Sequence, residues 1–231
     1  MTTSIAVGEW TDASASLEGK SPEDILDWAT ARFSPKLTMA TAMGAEGCCI
    51  VAMLAKIGRP VRIFNLDTDY QFEETLDTKK RLEEKYGLQI ETVRAERTRA
   101  EIEAEFGPDL WKRDTNLCCR IRKVEPLRET VKGCDAWVSA IRRDQTPDRA
   151  QSAIVEWDAR FQLVKVNPLL NWTWKNVWSY IHTNDVPYNP LHDSGYPSIG
   201  CWPCTKRVAP GADPRSGRWS GEKTECGLHA R

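Results

Sequence analysis

The chain has 231 residues, 41% hydrophobic and 28% charged, with a formal net charge of −1. This is the balance of a globular protein with one good-sized core, and it excludes bulk attraction to nucleic acid or to an acidic membrane, so any anion site has to be built locally. No stretch reaches membrane-spanning length and the first residues lack a basic start followed by an apolar run, which predicts a cytosolic protein.

Residues 1–17 read as an N-terminal extension. Ser21-Pro22-Glu23-Asp24 then predicts a helix start, with a capping serine, proline at the first helical position and acids in the first turn. The run 36–44 reads as a strand ending in Gly44, and 45–57 as an apolar helix stopped by Gly58. Residues 60–69 form the next expected strand, 72–87 an amphipathic helix and 88–93 a strand. A short helix follows over 98–107, and another over 116–131, bent or interrupted by Pro126. Residues 135–141 read as a strand, 142–151 as a loop, 161–170 as a strand and 173–185 as a helix capped by Thr173.

Strands alternating with helices predict an α/β fold: an open, mostly parallel twisted sheet with helices on both faces. This unit is assigned residues 18–186. From about Pro187 the chain becomes rich in Pro, Gly and Ser, which predicts an irregular arm over 187–231, part of the same domain and ordered by what it covers.

Three segments at expected carboxyl ends of strands are candidates for anion binding: TAMGAEG (41–47), NLDTD (65–69) and SAIRRDQ (139–145). None is a Walker A loop or a G-x-G-x-x-G fingerprint. The eight cysteines are more specific, because a reducing cytosol argues against a disulfide framework. Cys48, Cys49 and Cys134 lie in apolar runs and read as core. Cys118 and Cys119 are adjacent, and Cys201 and Cys204 form a C-x-x-C, a set of four thiolates suited to zinc or to an iron–sulfur cluster. Adjacent helical residues diverge by roughly 100°, a strained way to chelate one small tetrahedral ion. A cubane with a separate iron for each sulfur relaxes that strain. Near the C-terminus, Arg215 and Arg218 can read sulfate or phosphate oxygens, and Lys223 and His229 favour a thiolate at Cys226.

These motifs identify a family resemblance. GAEG, NLDT, KRDTNLCC, IRRDQ, GCWPCT, GRW and the terminal ECGLH resemble the assimilatory adenylyl-sulfate (APS) and phosphoadenylyl-sulfate (PAPS) reductases from about residue 18 onward. The Cys-Cys and C-x-x-C pairs resemble the iron–sulfur APS-reducing subset. Asp69 and Tyr70 stand where that family more often has Gly-Arg, and Ala140 where glycine is more usual.

The resemblance implies an adenine nucleotide alpha hydrolase-like fold and thioredoxin-dependent reduction of APS to sulfite and AMP through an S-sulfocysteine. It implies Cys226 as nucleophile, and Cys118, Cys119, Cys201 and Cys204 as ligands of one [4Fe–4S] cluster per chain. Lys123 matches a residue between cluster and substrate, and Arg215, Arg218 and His229 match the sulfate and phosphate contacts. Thr41, Gly44, Leu66 and Ala140 match adenosine-pocket positions, and Arg149 a further phosphate contact. The expected partners are adenylyl sulfate and thioredoxin, with neither nucleic acid nor membrane, and with room for a homo-oligomer. The alternatives are a PAPS reductase and a zinc-binding nucleic-acid module.

Overall fold

The computed structural model describes residues 7–221 together with Lys223, Glu225, Gly227 and Leu228. Helix α1 (Val7–Leu17) leads into α2 (Pro22–Phe33), where Ser21 caps the first turn by accepting from the Asp24 amide. Then follow β1 (Leu37–Ala40), α3 (Ala45–Ile57), β2 (Arg62–Asp67), α4 (Glu73–Tyr86) and β3 (Ile90–Arg94). Three short helices, α5 (Arg99–Phe106), α6 (Leu110–Arg113) and α7 (Thr115–Cys119), run through a π-helical turn (Arg120–Val124) into α8 (Glu125–Thr130). The remainder is β4 (Ala136–Val138), α9 (Pro147–Ala150), β5 (Val155–Asp158), β6 (Leu163–Val166) and α10 (Trp174–Thr183).

The six strands form one sheet in the order β3-β2-β1-β4-β6-β5. All neighbours are parallel except β5, which pairs antiparallel with β6 at the edge. This is the expected mostly parallel sheet; the short edge strand β5 was not foreseen. Its sequence Val-Glu-Trp-Asp buries only its two ends, so it carries little of the apolar signal of an interior strand. Helix α1 packs beside it: Trp10 and Leu17 are buried in the main core, and the Val155 amide donates to Ser14 Oγ.

Side-chain alternation along the strands divides the core. Leu37, Met39, Ile63, Ala136, Val138, Val164 and Val166 pack on one face with α2, α3 and α10. Phe64, Trp137 and Leu163 point to the other face and meet Leu127 and Val131 from α8 and its end. Cys48 and Cys49 are fully buried on α3, as expected of core cysteines, and burial pushes Cys48 up to about 12. Cys134 is half-buried against the second cluster.

Pro126 does not interrupt its helix; it widens it. Proline has no N–H to donate and its ring crowds the carbonyl four residues back. The chain makes a π turn just before it, with the Glu125 amide donating to the Arg120 carbonyl five residues earlier. The cysteine pair at the end of α7 opens directly into this turn.

Because the strands are parallel, the segments after β1, β2 and β4 emerge along one edge of the sheet. The connection from β1 leads to β2 on one side, while β4 lies on the other, so the crevice opens where the winding reverses. The irregular arm beyond Pro187 lies over that edge, with 3-10 turns at Pro190–Ser194, Trp202–Cys204 and Trp219–Gly221.

Candidate functional site

The loop after β1 is built around Thr41. Its amide bonds to Phe64 O, its carbonyl accepts from Asn65 Nδ2 at 2.8 Å, and its hydroxyl accepts from the Met43 amide at 3.2 Å. A Cβ on Gly47 would lie 2.5 Å from Thr41 Oγ1, so only glycine lets α3 approach this closely. Gly44 N-caps α3 without a capping side chain, leaving its first-turn amides free of that competition.

This loop borders a cavity of about 760 Å³ at the carboxyl edge of the sheet. Thr41, Gly44, Leu66 and Ala140, the expected adenosine positions, all line it. So do Lys123, Arg149, Arg215 and Arg218, which gathers four cationic side chains from three separated parts of the chain around one space. Trp137, Trp174 and Trp219 add aromatic walls that spacing did not reveal.

The cations differ in their partners. Arg142 is buried, paired with Glu46 and Asp144, and sits 5.3 Å from the Trp174 ring. Arg143 forks onto Glu18, at 2.9 and 3.1 Å. Arg218, buried, donates to Cys204 O, Ser198 Oγ and Ile199 O and lies 4.4 Å from the Trp219 ring, so it also holds the C-x-x-C turn. Arg149 and Arg215 meet a carboxylate that sequence reasoning missed. Arg149 Nε and Nη2 donate to Glu225 at 2.7 and 2.8 Å, Thr146 Oγ1 donates at 3.0 Å, and Arg215 Nη2 lies 3.6 Å away. Burial favours the neutral form of Glu225, but the Arg149 hydrogen bonds and charge, with Arg215 and Thr146, outweigh it and hold its pKa low.

Cys118, Cys119, Cys201 and Cys204 line one small neighbouring cavity, with Tyr70, Arg122 and Trp219. Lys123 lines both this cavity and the large one. Burial, reinforced by the neighbouring thiols, pushes Cys118 up to about 12 and Cys204 up to about 11. Cys201 goes the other way: burial raises it, but Lys123, the Thr68 hydroxyl at 3.2 Å and Arg218 together bring it below the ordinary thiol value. Among the described residues, no group of three or more His, Cys, Asp or Glu is arranged for a single metal ion. The donor set is four thiols around one small space beside a lysine, a ligand chemistry that iron–sulfur clusters take.

The departures at 69 and 70 have a structural reason. Asp69 takes a positive φ of 58°, the region glycine favours and aspartate tolerates. Its carboxylate pairs with buried Arg122 at 2.6 Å. Tyr70 lies under the same guanidinium, 4.9 Å away, and edge-on to Trp202 at 5.9 Å. The loop after β2 thereby docks the C-x-x-C turn, and the Trp202 amide donates to Tyr70 O at 2.8 Å. Arg122 is committed to that task; Arg120 is exposed and pairs with Glu125.

Cys226 and His229 lie outside the described residues. Their neighbours are placed. Lys223 Nζ lies 3.0 Å from Asn116 Oδ1 and 3.5 Å from Cys119 Sγ, Glu225 is on Arg149, and Leu228 lines the large cavity and packs with the Phe64–Trp137 cluster.

Residues 36–207 match the family described as the phosphoadenosine phosphosulfate reductase domain. The chain is 46% identical over 217 residues to the adenosine 5'-phosphosulfate reductase of Geobacillus kaustophilus, covering 92% of this chain and 91% of that protein. It is 46% identical over 207 residues to adenosine 5'-phosphosulfate reductase 1 of Bacillus subtilis, covering 89% of each. Among solved structures it resembles the phosphoadenylyl-sulfate reductase of Candida auris, in a phosphate complex. There the TM-score is 0.78 at 30% identity, covering 89% of this chain and 98% of that one. The FMN adenylyltransferase of Candida glabrata, at 16% identity and a TM-score of 0.58 over 79% of this chain and 60% of that one, shares the fold.

Proposed function

The chain belongs to the phosphoadenosine phosphosulfate reductase family, and from that footing we propose that it reduces adenylyl sulfate to sulfite and AMP, with Cys226 as nucleophile and thioredoxin as reductant. One observation carries the reading. Lys123, Arg149, Arg215 and Arg218 converge on one cavity that abuts the four-thiol cavity, and the arm bearing Cys226 runs to its rim. The zinc-module alternative falls with the family membership, and relatives named for the 5'-phosphosulfate favour APS over PAPS.

The cavity can receive the nucleotide between Thr41, Gly44, Leu66 and Ala140, with the phosphosulfate toward the arginines. The Cys226 thiolate attacks the sulfur of the sulfate group. The new S–S bond forms as the bond from sulfur to the phosphate oxygen breaks, and AMP leaves with that electron pair. Arg215 and Arg218 stabilise the charge gathering on the leaving phosphate, with Arg149 holding Glu225 beside them. A thioredoxin thiolate then attacks Cys226 Sγ and releases sulfite, and its second thiol resolves the mixed disulfide. The dithiol supplies both electrons, so sulfate sulfur leaves as sulfite.

Cys118, Cys119, Cys201 and Cys204 would hold a [4Fe–4S] cluster, with Lys123 between it and the substrate. When bound, it would supply a polarising wall to the sulfate end, with no electron demanded of it. Lys123 can hold a sulfate oxygen while its other side faces the thiolates.

The test is Cys226→Ser. It should form no sulfite, while wild-type protein given APS without thioredoxin should gain one sulfo group, on Cys226. That mass on another cysteine, or normal turnover by the variant, would sink the assignment.

A further inference from the structure

The site described above leaves Arg160 without a task. It follows β5, at the turn into β6, and its guanidinium is oriented by the buried Asp158, with Nε 3.3 Å from Oδ1 and Nη2 3.4 Å from Oδ2. It lies 5.4 Å from the Phe161 ring, which itself packs edge-on against Trp137. What it reaches is the arm. Nη1 donates to the Gly227 carbonyl at 2.8 Å and Nη2 to the Leu228 carbonyl at 2.9 Å, two consecutive acceptors taken by one planar fork.

Arg149 holds Glu225 with a second fork, at 2.7 and 2.8 Å. The chain is therefore gripped at the residue before Cys226 and at the two residues after it. Gly227 takes a φ of 83°, and a Cβ there would meet Val124 Cγ2 at 3.4 Å, so the arm turns beside the π turn that carries Lys123. The Leu228 side chain closes the grip by packing with the Phe64–Trp137–Phe161 cluster.

We propose that Arg160 is a positioning residue for the arm, its fork on the Gly227 and Leu228 carbonyls setting Cys226 for attack. The inference rests on the reading of Cys226 as nucleophile. Arg160 is not among the residues lining the large cavity, so it acts on the thiol's placement and not on nucleotide affinity. A reacting group misplaced by about 1 Å can lose roughly a hundredfold in rate, the scale expected here.

The experiment is single-turnover formation of S-sulfocysteine from APS by the full chain, read by mass, with substrate affinity measured alongside. Arg160→Ala should slow the transfer roughly ten- to hundredfold with dissociation constant within about twofold of wild type, and should speed alkylation of Cys226 by iodoacetamide in substrate-free protein. Arg160→Lys keeps the charge but reaches one carbonyl at a time, so it should fall between the two, and it serves as the folded variant if the alanine protein is unstable. Wild-type transfer and alkylation rates in both variants would overturn the proposal, as would weakened APS binding with unchanged transfer. Cys226→Ser separates the two readings. If it still forms sulfite, the nucleophile reading and this proposal fall together. If it is inactive while Arg160→Ala transfers normally, only the positioning role falls.

Discussion

Glu225 and Arg149 form a buried, two-pronged ion pair, with Arg149 Nε and Nη2 each donating to a different carboxylate oxygen, at 2.7 and 2.8 Å. The residue that precedes Cys226 in sequence thus occupies an arginine expected to read substrate phosphate. The pair gives the arm a defined pH response. Glu225 has its pKa held below its ordinary 4.5, against burial, by Arg149, Arg215 and Thr146. A depressed folded-state pKa contributes stability that is present above the unfolded value and lost as pH falls through the folded one. The free energy of opening the arm, read by hydrogen exchange, should exceed that of Glu225→Gln by about 1.5–3 kcal/mol at neutral pH, the range for hydrogen bonds to charged groups. The gap should stay flat down to about pH 4.5 and close below it. A gap that opens toward acid would contradict the pairing.

The four-thiol cavity predicts a brown protein with a broad visible band and about four irons per chain, the content of one [4Fe–4S] cluster. Replacing Cys118, Cys119, Cys201 or Cys204 by serine should bleach it, since all four line the same space. Cys134→Ser should keep the colour, because Cys134 packs against the Phe64–Trp137 cluster. Stoichiometric zinc without iron after anaerobic purification would reject the cluster.

Lys123 is shared by the two cavities, and its charge helps hold the Cys201 pKa below the ordinary thiol value. Lys123→Ala should therefore slow S-sulfocysteine formation by about two to three orders of magnitude, roughly 3–4 kcal/mol, the cost of removing an oxyanion donor. Single-turnover kinetics check this; a change below about tenfold would make Lys123 a bystander.

Substrate choice follows from where the basic loop points. Arg142 is held by Glu46 and Asp144, and Arg143 by Glu18, so both are already neutralised by the protein's own carboxylates. The 3′-phosphate that distinguishes PAPS brings roughly −1.5 to −2 charge near neutral pH, like other phosphate monoesters. Burying it without dedicated cations is costly. kcat/KM for APS should exceed that for PAPS by at least about tenfold, or about 1.4 kcal/mol. Equal values would show that a cation of this loop leaves its carboxylate for the ligand.

Much of the site was legible before any fold was known. Cys118, Cys119, Cys201 and Cys204 announced themselves by spacing, and the structure brings them to one cavity. The turn of Ser21-Pro22-Glu23-Asp24 and the glycine stop at Gly58 were readable because capping is a local property of the chain, and both ends form as expected. The parallel sheet followed from the alternation of apolar strands with helices, with β1, β2, β4 and β6 marked by consecutive buried side chains that reach both faces.

What only the tertiary structure decided is which charge answers which. Arg142 meets Glu46 across 96 residues, Arg143 meets Glu18 across 125, and Arg149 meets Glu225 across 76. Periodicity reports which face of an element is buried, but it says nothing about partners brought together by the winding of a sheet. The same limit hid β5, a short edge strand with only its two end residues buried, and the role of Arg160, whose acceptors are backbone carbonyls of the arm. Carbonyls are common to every residue and leave no trace in a sequence. Residue types set the chemistry available to this chain, and long-range packing determined which of those groups face the cavity and which neutralise one another.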